Sequence, residues 1–285
     1  MSLSICVCGA GTMGSGIAQV AAQHGFKIVL FDTNETAVKT AKVLIEKNLF
    51  QLANKNKITA EEKNATENRI QFSNDIKECM ADIIIEAIAE IEDVKVALFG
   101  ELAKYNKPSS VFASNTSSLS ITSMQERIPS PERVIGMHFF NPAYIMKLVE
   151  VVKGKHTNDT TARLITDLCR KMNKTPVMCN DAPGFIVNRI ARHYYLESLK
   201  MAEDQIGSIE DIDAILETSG FKMGPFKLMD LIGMDINLAV SESIYHAFHH
   251  EKRFTPSALQ IEKVKNGELG KKSGKGFYDY PNEKA

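Results

Sequence analysis

Leu3-Ser4-Ile5-Cys6-Val7-Cys8-Gly9-Ala10-Gly11-Thr12-Met13-Gly14 decides how the first half of the chain is read. An apolar run of strand length stops at Gly9. From Gly11 to His24, Met13, Ile17, Val20 and Ala21 then recur at helical spacing. The junction is a strand–turn–helix with glycines where a dinucleotide site needs them. Gly9 permits the tight turn, Gly11 lets backbone approach a pyrophosphate, and Gly14 lets the helix pack on the strand. Thr12 and Met13 open the helix, whose first amides face the anion. Lys27 to Phe31 reads as a second strand, ended by Asp32, 18 residues beyond Gly14. A carboxylate there accepts from a ribose 2′-hydroxyl. Thr33 and Asn34 supply no Arg for a 2′-phosphate, which favours NAD over NADP. FAD uses the same fingerprint. The bare pattern also suits a plain turn, with Asp32 capping a helix or facing water.

Outward from this unit, short apolar runs alternate with longer periodic segments through the first 180 residues, the rhythm of a parallel α/β sheet. Ile83 to Ile85, Val111 to Ala113, Val134 to Met137 and Lys147 to Val152 read as further strands. Asn34 is placed to cap a long helix running through Leu44 and Leu52, and Val94 to Tyr105 has helical spacing. The charged stretch 54–69 reads as a helical excursion away from the sheet. After Pro183-Gly184 strand signals nearly vanish, and 185–205, 209–218, 235–250 and 256–265 suit helices. The expected organisation is an α/β domain over 1–183 and an all-α domain over 184–285.

Composition narrows the function. The 285 residues amount to one large domain or two modest ones, at roughly 150 residues each. With 44% hydrophobic residues the chain can build a core, and with 24% charged residues it does not read as disordered. Lys and Arg total 34 against 35 Asp and Glu, a formal net charge of -1, which argues against a general nucleic-acid binder. A mean hydropathy of -0.15 and the lack of a long apolar run argue against a membrane span. Residues 1–26 carry no Lys, Arg, Asp or Glu, yet the first basic charge is Lys27 and five glycines interrupt the stretch. A secretory signal needs a positive region ahead of its apolar core, so a folded domain is expected instead. Five cysteines (Cys6, Cys8, Cys79, Cys169, Cys179) with no CxxC fit a reduced, cytoplasmic compartment, the thiols acting as small apolar residues. No metal site is expected from that spacing.

Oxidising an alcohol with NAD requires a base for the hydroxyl proton, and histidine, with an unperturbed pKa of about 6.5, suits the task. Among seven histidines, His138 ends a strand in Met137-His138-Phe139-Phe140-Asn141-Pro142, where ligands of open α/β sheets bind. His24, His156, His246, His249 and His250 lie in helical or polar contexts, and His193 lies in a helix past the domain boundary. Lys147-Leu148-Val149-Glu150-Val151-Val152 places a carboxylate mid-strand, flanked on its own face by Leu148 and Val152. Buried there, Glu150 needs a partner, and His138 in an adjacent strand could supply one. An edge strand with Glu150 in water and His138 a core residue fits the pattern equally well.

The chain resembles the 3-hydroxyacyl-CoA dehydrogenase family, most closely its short bacterial 3-hydroxybutyryl-CoA members. The resemblance rests on GAGTMGSGIAQVAA at 9–22, ASNTSSLSIT at 113–122, RVIGMHFFNP at 133–142, MKLVEVV at 146–152, DAPGFIVNRI at 181–190 and KSGKGFYDY at 272–280. It implies a Rossmann-like first domain, a helical second domain carrying a homodimer contact, NAD as cofactor and an acyl-CoA substrate. It implies that His138 is the catalytic base, that Glu150 orients it, and that Ser117 and Asn188 hold substrate oxygens. Glu90, Lys95, Asn115 and Asn141 are implied near the cofactor, alongside Gly9, Gly11, Thr12, Met13, Gly14, Asp32 and Ser117. Lys55 and Asn48 match positions near CoA. From residues alone, Ser117 also suits a helix cap, Asn188 a polar position in a domain-linking helix, and Lys55 a solvated face.

Two departures stand out: Ala143-Tyr144 where the family often has Val-Pro, and Lys227 where Glu is frequent. Tyr144 could alter acyl-chain fit. The expected activity is reversible NAD-dependent oxidation of a short (S)-3-hydroxyacyl-CoA. A dehydrogenase of a free hydroxy acid or sugar acid, distinguished by having no need of the thioester, is the enzymatic alternative. A nucleotide-sensing regulator without turnover is the non-enzymatic one.

Overall fold

Continuous apolar runs need cover on both faces, and the first unit supplies it by burying its sheet between helices. In the computed structural model residues 3–280 are described, and the chain divides into two compact units, one ending at Ala182 and the other starting at Pro183. The strands of the first unit are β1 (Ser4–Cys8), β2 (Lys27–Phe31), β3 (Ile70–Ser73), β4 (Ile83–Glu86), β5 (Val111–Ser114), β6 (Val134–Phe139), β7 (Leu148–Lys153) and β8 (Thr175–Asn180). Its helices are α1 (Thr12–Gln23), α2 (Glu35–Asn54), α3 (Ala60–Glu67), α4 (Glu92–Tyr105), α5 (Ile121–Gln125) and α6 (Asp159–Lys171).

The sheet order is β3-β2-β1-β4-β5-β6-β7-β8. Six strands run parallel, and β7 and β8 run against them because β6 pairs β7 antiparallel. Strand order reverses between β1 and β4, the point where such sheets open a crevice at their carboxyl ends. On one face Ile5, Val7, Ile83 and Ile85 pack with Ile17 and Ala21 of α1, all buried. Each such aliphatic side chain contributes roughly 1.5–3 kcal/mol by leaving water. Asn34 does cap α2, its Oδ1 accepting from the amides of Thr36 at 2.9 Å and Ala37 at 3.3 Å.

The stretch 54–69 is helical over Ala60–Glu67, as expected, but it is tied to its neighbours. Its helix α3 packs on α1 and α2, Arg69 Nη1 donates to Ala22 O at 3.1 Å, and the chain passes directly into β3. That strand escapes a sequence reading because Ile70-Gln71-Phe72-Ser73 is only four residues and alternates in polarity. The other edge strand, β8, contains Pro176 and is half exposed, which removes the apolar run that marks a central strand.

The second unit is helical: α7 (Val187–Glu203), α8 (Ile209–Thr218), α9 (Pro225–Ile232), α10 (Met234–Ala247) and α11 (Ala258–Lys265). Tyr195, Leu199, Ile212, Phe226, Met229 and Met234 form its core. The expected 235–250 helix ends at Ala247, and His249 and His250 take positive φ of 52° and 63°. The eight-residue α9 was not expected. Buried Asp213 secures its start, accepting from the amides of Phe226 at 2.9 Å and Lys227 at 3.1 Å. Lys227 itself pairs with Glu217 at 3.0 Å, which gives that departure a local partner. Asp230 accepts from the amides of Phe277 and Tyr278, each at 2.9 Å, so the KSGKGFYDY segment is held as structure. No helix among the described residues is long and apolar enough to cross a membrane.

Candidate active site

Most of the residues singled out in the first unit collect at the carboxyl ends of β1, β2, β4, β5 and β6. At β1, Gly9 has φ +106°, and a Cβ there would lie 2.5 Å from Ala87 O. A Cβ on Gly14 would lie 1.7 Å from Gly9 O, so helix and turn touch backbone to backbone. Gly11 differs: a Cβ on it would meet nothing within 4 Å, leaving open space in front of the turn. No side chain caps α1 at Gly11, and no acid stands in its first turn. The amides that begin with Thr12 and Met13 are therefore suited to an anion. Asp32 is fixed beside them, Oδ2 accepting from Ala10 N at 2.8 Å and Oδ1 from Asn34 N at 2.9 Å. A glycine cradle, open amides and an anchored carboxylate together fit a dinucleotide.

At β6, His138 and Glu150 are direct cross-strand partners. His138 Nδ1 lies 2.8 Å from Glu150 Oε2, and the residues are 5% and 1% exposed. Glu150 faces the interior: β8 covers the outer edge of β7, so the edge-strand alternative does not hold. The Phe140 ring lies 4.5 Å from the imidazole. Asn115 Oδ1 accepts from Phe139 N at 2.9 Å, tying the His138 strand end to the loop after β5.

That loop meets the end of β4 through shared charges. Lys95 of α4, 1% exposed, lies between Glu86 Oε1 at 2.5 Å and Glu90 Oε2 at 3.1 Å. Glu90 Oε1 accepts from Ser117 N at 2.9 Å and from Thr116 Oγ1. Burial alone would push the Glu90 carboxyl up, but the Lys95 charge and these hydrogen bonds outweigh it and hold it below the usual carboxylate range. Glu86 goes the other way: burial pushes it up despite Lys95, Ser114 and the Ile88 amide. Sequence reasoning missed Glu86, although Ile83-Ile84-Ile85-Glu86 carries a signal akin to that of Glu150, a carboxylate joined to an apolar strand, here at its end rather than its middle.

The remaining residues lie elsewhere. Asn141 is exposed in the turn after β6. Asn48 and Lys55 sit on and just after α2, outside this group; Asn48 Nδ2 donates to Gln19 Oε1 at 3.2 Å, and Lys55 is exposed. Asn188 is half-buried on α7 of the second unit. Cys6, Cys8 and Cys79, spaced apart in sequence, bring their sulfurs within 4.8 Å of one another and are fully buried. The hydrogen bond to Cys79 and burial push the Cys6 thiol up, and hydrogen bonds to Cys6 and Cys79 with burial push the Cys8 thiol up, whereas the hydrogen bonds from both partners pull the Cys79 thiol down.

Residues 4–182 match the 3-hydroxyacyl-CoA dehydrogenase NAD-binding domain, and residues 184–280 match the C-terminal domain of the same family. The chain belongs to the 3-hydroxyacyl-CoA dehydrogenase family. NAD is accordingly the cofactor of its first unit, which removes the FAD alternative. The chain is 46% identical over 99% of its length to the 3-hydroxyadipyl-CoA dehydrogenase of Escherichia coli, of which it spans 60%. It is 41% identical to a probable 3-hydroxybutyryl-CoA dehydrogenase of Deinococcus radiodurans, covering 96% of this chain and 99% of that one. Among solved structures, (S)-3-hydroxybutyryl-CoA dehydrogenase from Ralstonia eutropha aligns with a TM-score of 0.94 at 36% identity, covering 98% of this chain and 99% of the other.

Proposed function

We propose that the protein interconverts a (S)-3-hydroxyacyl-CoA and its 3-oxoacyl-CoA, with His138 as base in one direction and acid in the other. The buried His138–Glu150 pair at the carboxyl edge carries this reading. With Nδ1–H donated to Glu150, Nε2 is left as the acceptor for the substrate's 3-hydroxyl proton. Glu150 then stabilises the imidazolium, as an orienting carboxylate does in a triad. NAD, when bound, would supply the acceptor for the C3 hydride. Gly9, Gly11, Gly14 and Asp32 would hold its pyrophosphate and adenosine ribose, and Glu90 and Lys95 its nicotinamide side. Asn115 fixes the backbone beside His138, and Asn141 in the following turn would border the cofactor. Ser117 and Asn188 would donate to the substrate's oxygens, stabilising the carbonyl as charge shifts. Asn48 and Lys55 on the α2 side would meet CoA. The protein would work in the cytoplasm as a homodimer through the second unit.

The test follows NADH absorbance with acetoacetyl-CoA, beside free acetoacetate and beside NADPH. Turnover is expected with the thioester and NADH, and His138→Ala should lose about 10²–10⁴-fold in kcat. NADH binding without turnover of any CoA thioester would overturn the proposal. Equal turnover of free acetoacetate would favour the free-acid alternative.

A further inference from the structure

Arg192 lies on α7 one turn after Asn188, on the same helix face. It is 3% exposed, and its contacts are neutral. Nη1 donates to Asn237 O at 2.9 Å, Asn237 Oδ1 at 3.3 Å and Ser241 Oγ at 2.6 Å, and the guanidinium stands 4.8 Å over the Tyr195 ring. Among the described residues no carboxylate pairs with it. Burial pulls it down to about 10, which leaves it charged at neutral pH. A buried cation without a counter-charge is costly, and so is each buried polar atom without a partner. Three such atoms cluster here: Arg192 Nε, Asn237 Nδ2 and Gln260 Oε1, with Gln260 Nε2 donating to Asn237 Oδ1 at 2.6 Å. Two of them are donors, and a guanidinium fork matches a carboxylate in geometry and charge. Gln260 Oε1 is an acceptor and has nothing to offer an anion.

We propose that Arg192, with Asn237 of α10, receives a carboxylate carried at the far end of the acyl chain, so that the preferred substrate is the CoA thioester of a 3-hydroxy dicarboxylic acid. This rests on the dehydrogenase reading above and on Asn188 as a residue that holds substrate. Four residues of helix place Arg192 about 6 Å along α7 from Asn188, a span that a few additional acyl carbons would cover. The carboxylate supplies the missing counter-charge and takes up the unpaired donors. A chain ending in methyl leaves them unpaired, which is how a polar site rejects an apolar analogue.

The experiment compares NADH-dependent reduction of two six-carbon substrates, 3-oxoadipyl-CoA and 3-oxohexanoyl-CoA, by the full chain. The native protein should favour the dicarboxylic thioester by at least about tenfold in kcat/KM. Arg192→Met should bring that ratio close to one through KM for the dicarboxylic substrate, and Arg192→Lys should keep part of it. A purely structural tie between α7 and α10 would lower both substrates by the same factor and leave the ratio in place, which would overturn the proposal. Should Arg192→Met fail to fold, inhibition of the native protein by adipyl-CoA and hexanoyl-CoA decides: tighter adipyl-CoA supports the proposal, and equal constants overturn it. Turnover of acetoacetyl-CoA without any dicarboxylic preference would remove the Arg192 role and leave the dehydrogenase standing. No turnover of any thioester would remove both.

Discussion

Two carboxylates, one inside a strand and one in the loop past a strand end, take different roles from their surroundings. Glu150 is held in the sheet opposite His138, where its charge can serve the imidazole. Glu90 stands at the rim, where Lys95 and the Thr116–Ser117 donors favour its ionised form. The sign of the second effect is testable. A carboxyl held below its unfolded value adds stability above that value, about 4.3 for Glu, and loses it as pH falls through the folded one. Glu90→Gln mimics the protonated form. The melting temperature of the native protein should therefore exceed that of Glu90→Gln by a constant margin from pH 7 to about 5, and the gap should close below about 4. A margin that persists unchanged at acid pH would show that the Glu90 charge does not act on folding.

At the scale of elements, the β1–α1 turn separates folding from binding within six residues. Gly14 is demanded by backbone contact, since any Cβ would collide with Gly9 O, whereas Gly11 faces open space at an ordinary φ of -73°. Gly14→Ala should cost several kcal/mol or abolish folding, as overpacking against immobile backbone does. Gly11→Ala should melt within about 0.5 kcal/mol of the native protein, the usual range for a surface change, yet bind NADH at least tenfold more weakly. Calorimetric melting and NADH fluorescence titration separate the two. A Gly11→Ala protein that binds normally would mean that the cofactor backbone does not approach there. The same turn shows why part of the fold is legible in the sequence. Local rules shape β1, α1, β2 and the cap at Asn34, whereas β3 and β8 are edge strands whose pairing comes from neighbours distant in the chain. His138 and Glu150 were legible as a pair because two adjacent strands carry them. The Lys95 cluster was not, since it joins β4, α4 and the loop after β5, and no spacing rule spans those three.

For the molecule as a whole, the question is what surrounds the second unit. Its core is small, and Ile206, Ile215, Phe221, Leu231, Ile236 and Ile261 remain exposed on it. A formal charge of -1 offers little repulsion between copies. Identical chains that bury such apolar side chains against each other close most simply as a two-fold dimer, with the same residues on both sides. Light scattering should therefore give twice the 31.6 kDa of the chain. Charges at Leu231 and Ile236 together, as Leu231→Asp with Ile236→Asp, should shift the mass toward 31.6 kDa, whereas Val43→Asp on α2, a still more exposed apolar position of the first unit, should not. A native mass of one chain would overturn the dimer. A dimer broken by the α2 substitution and not by the α9–α10 pair would move the contact to the NAD-binding unit.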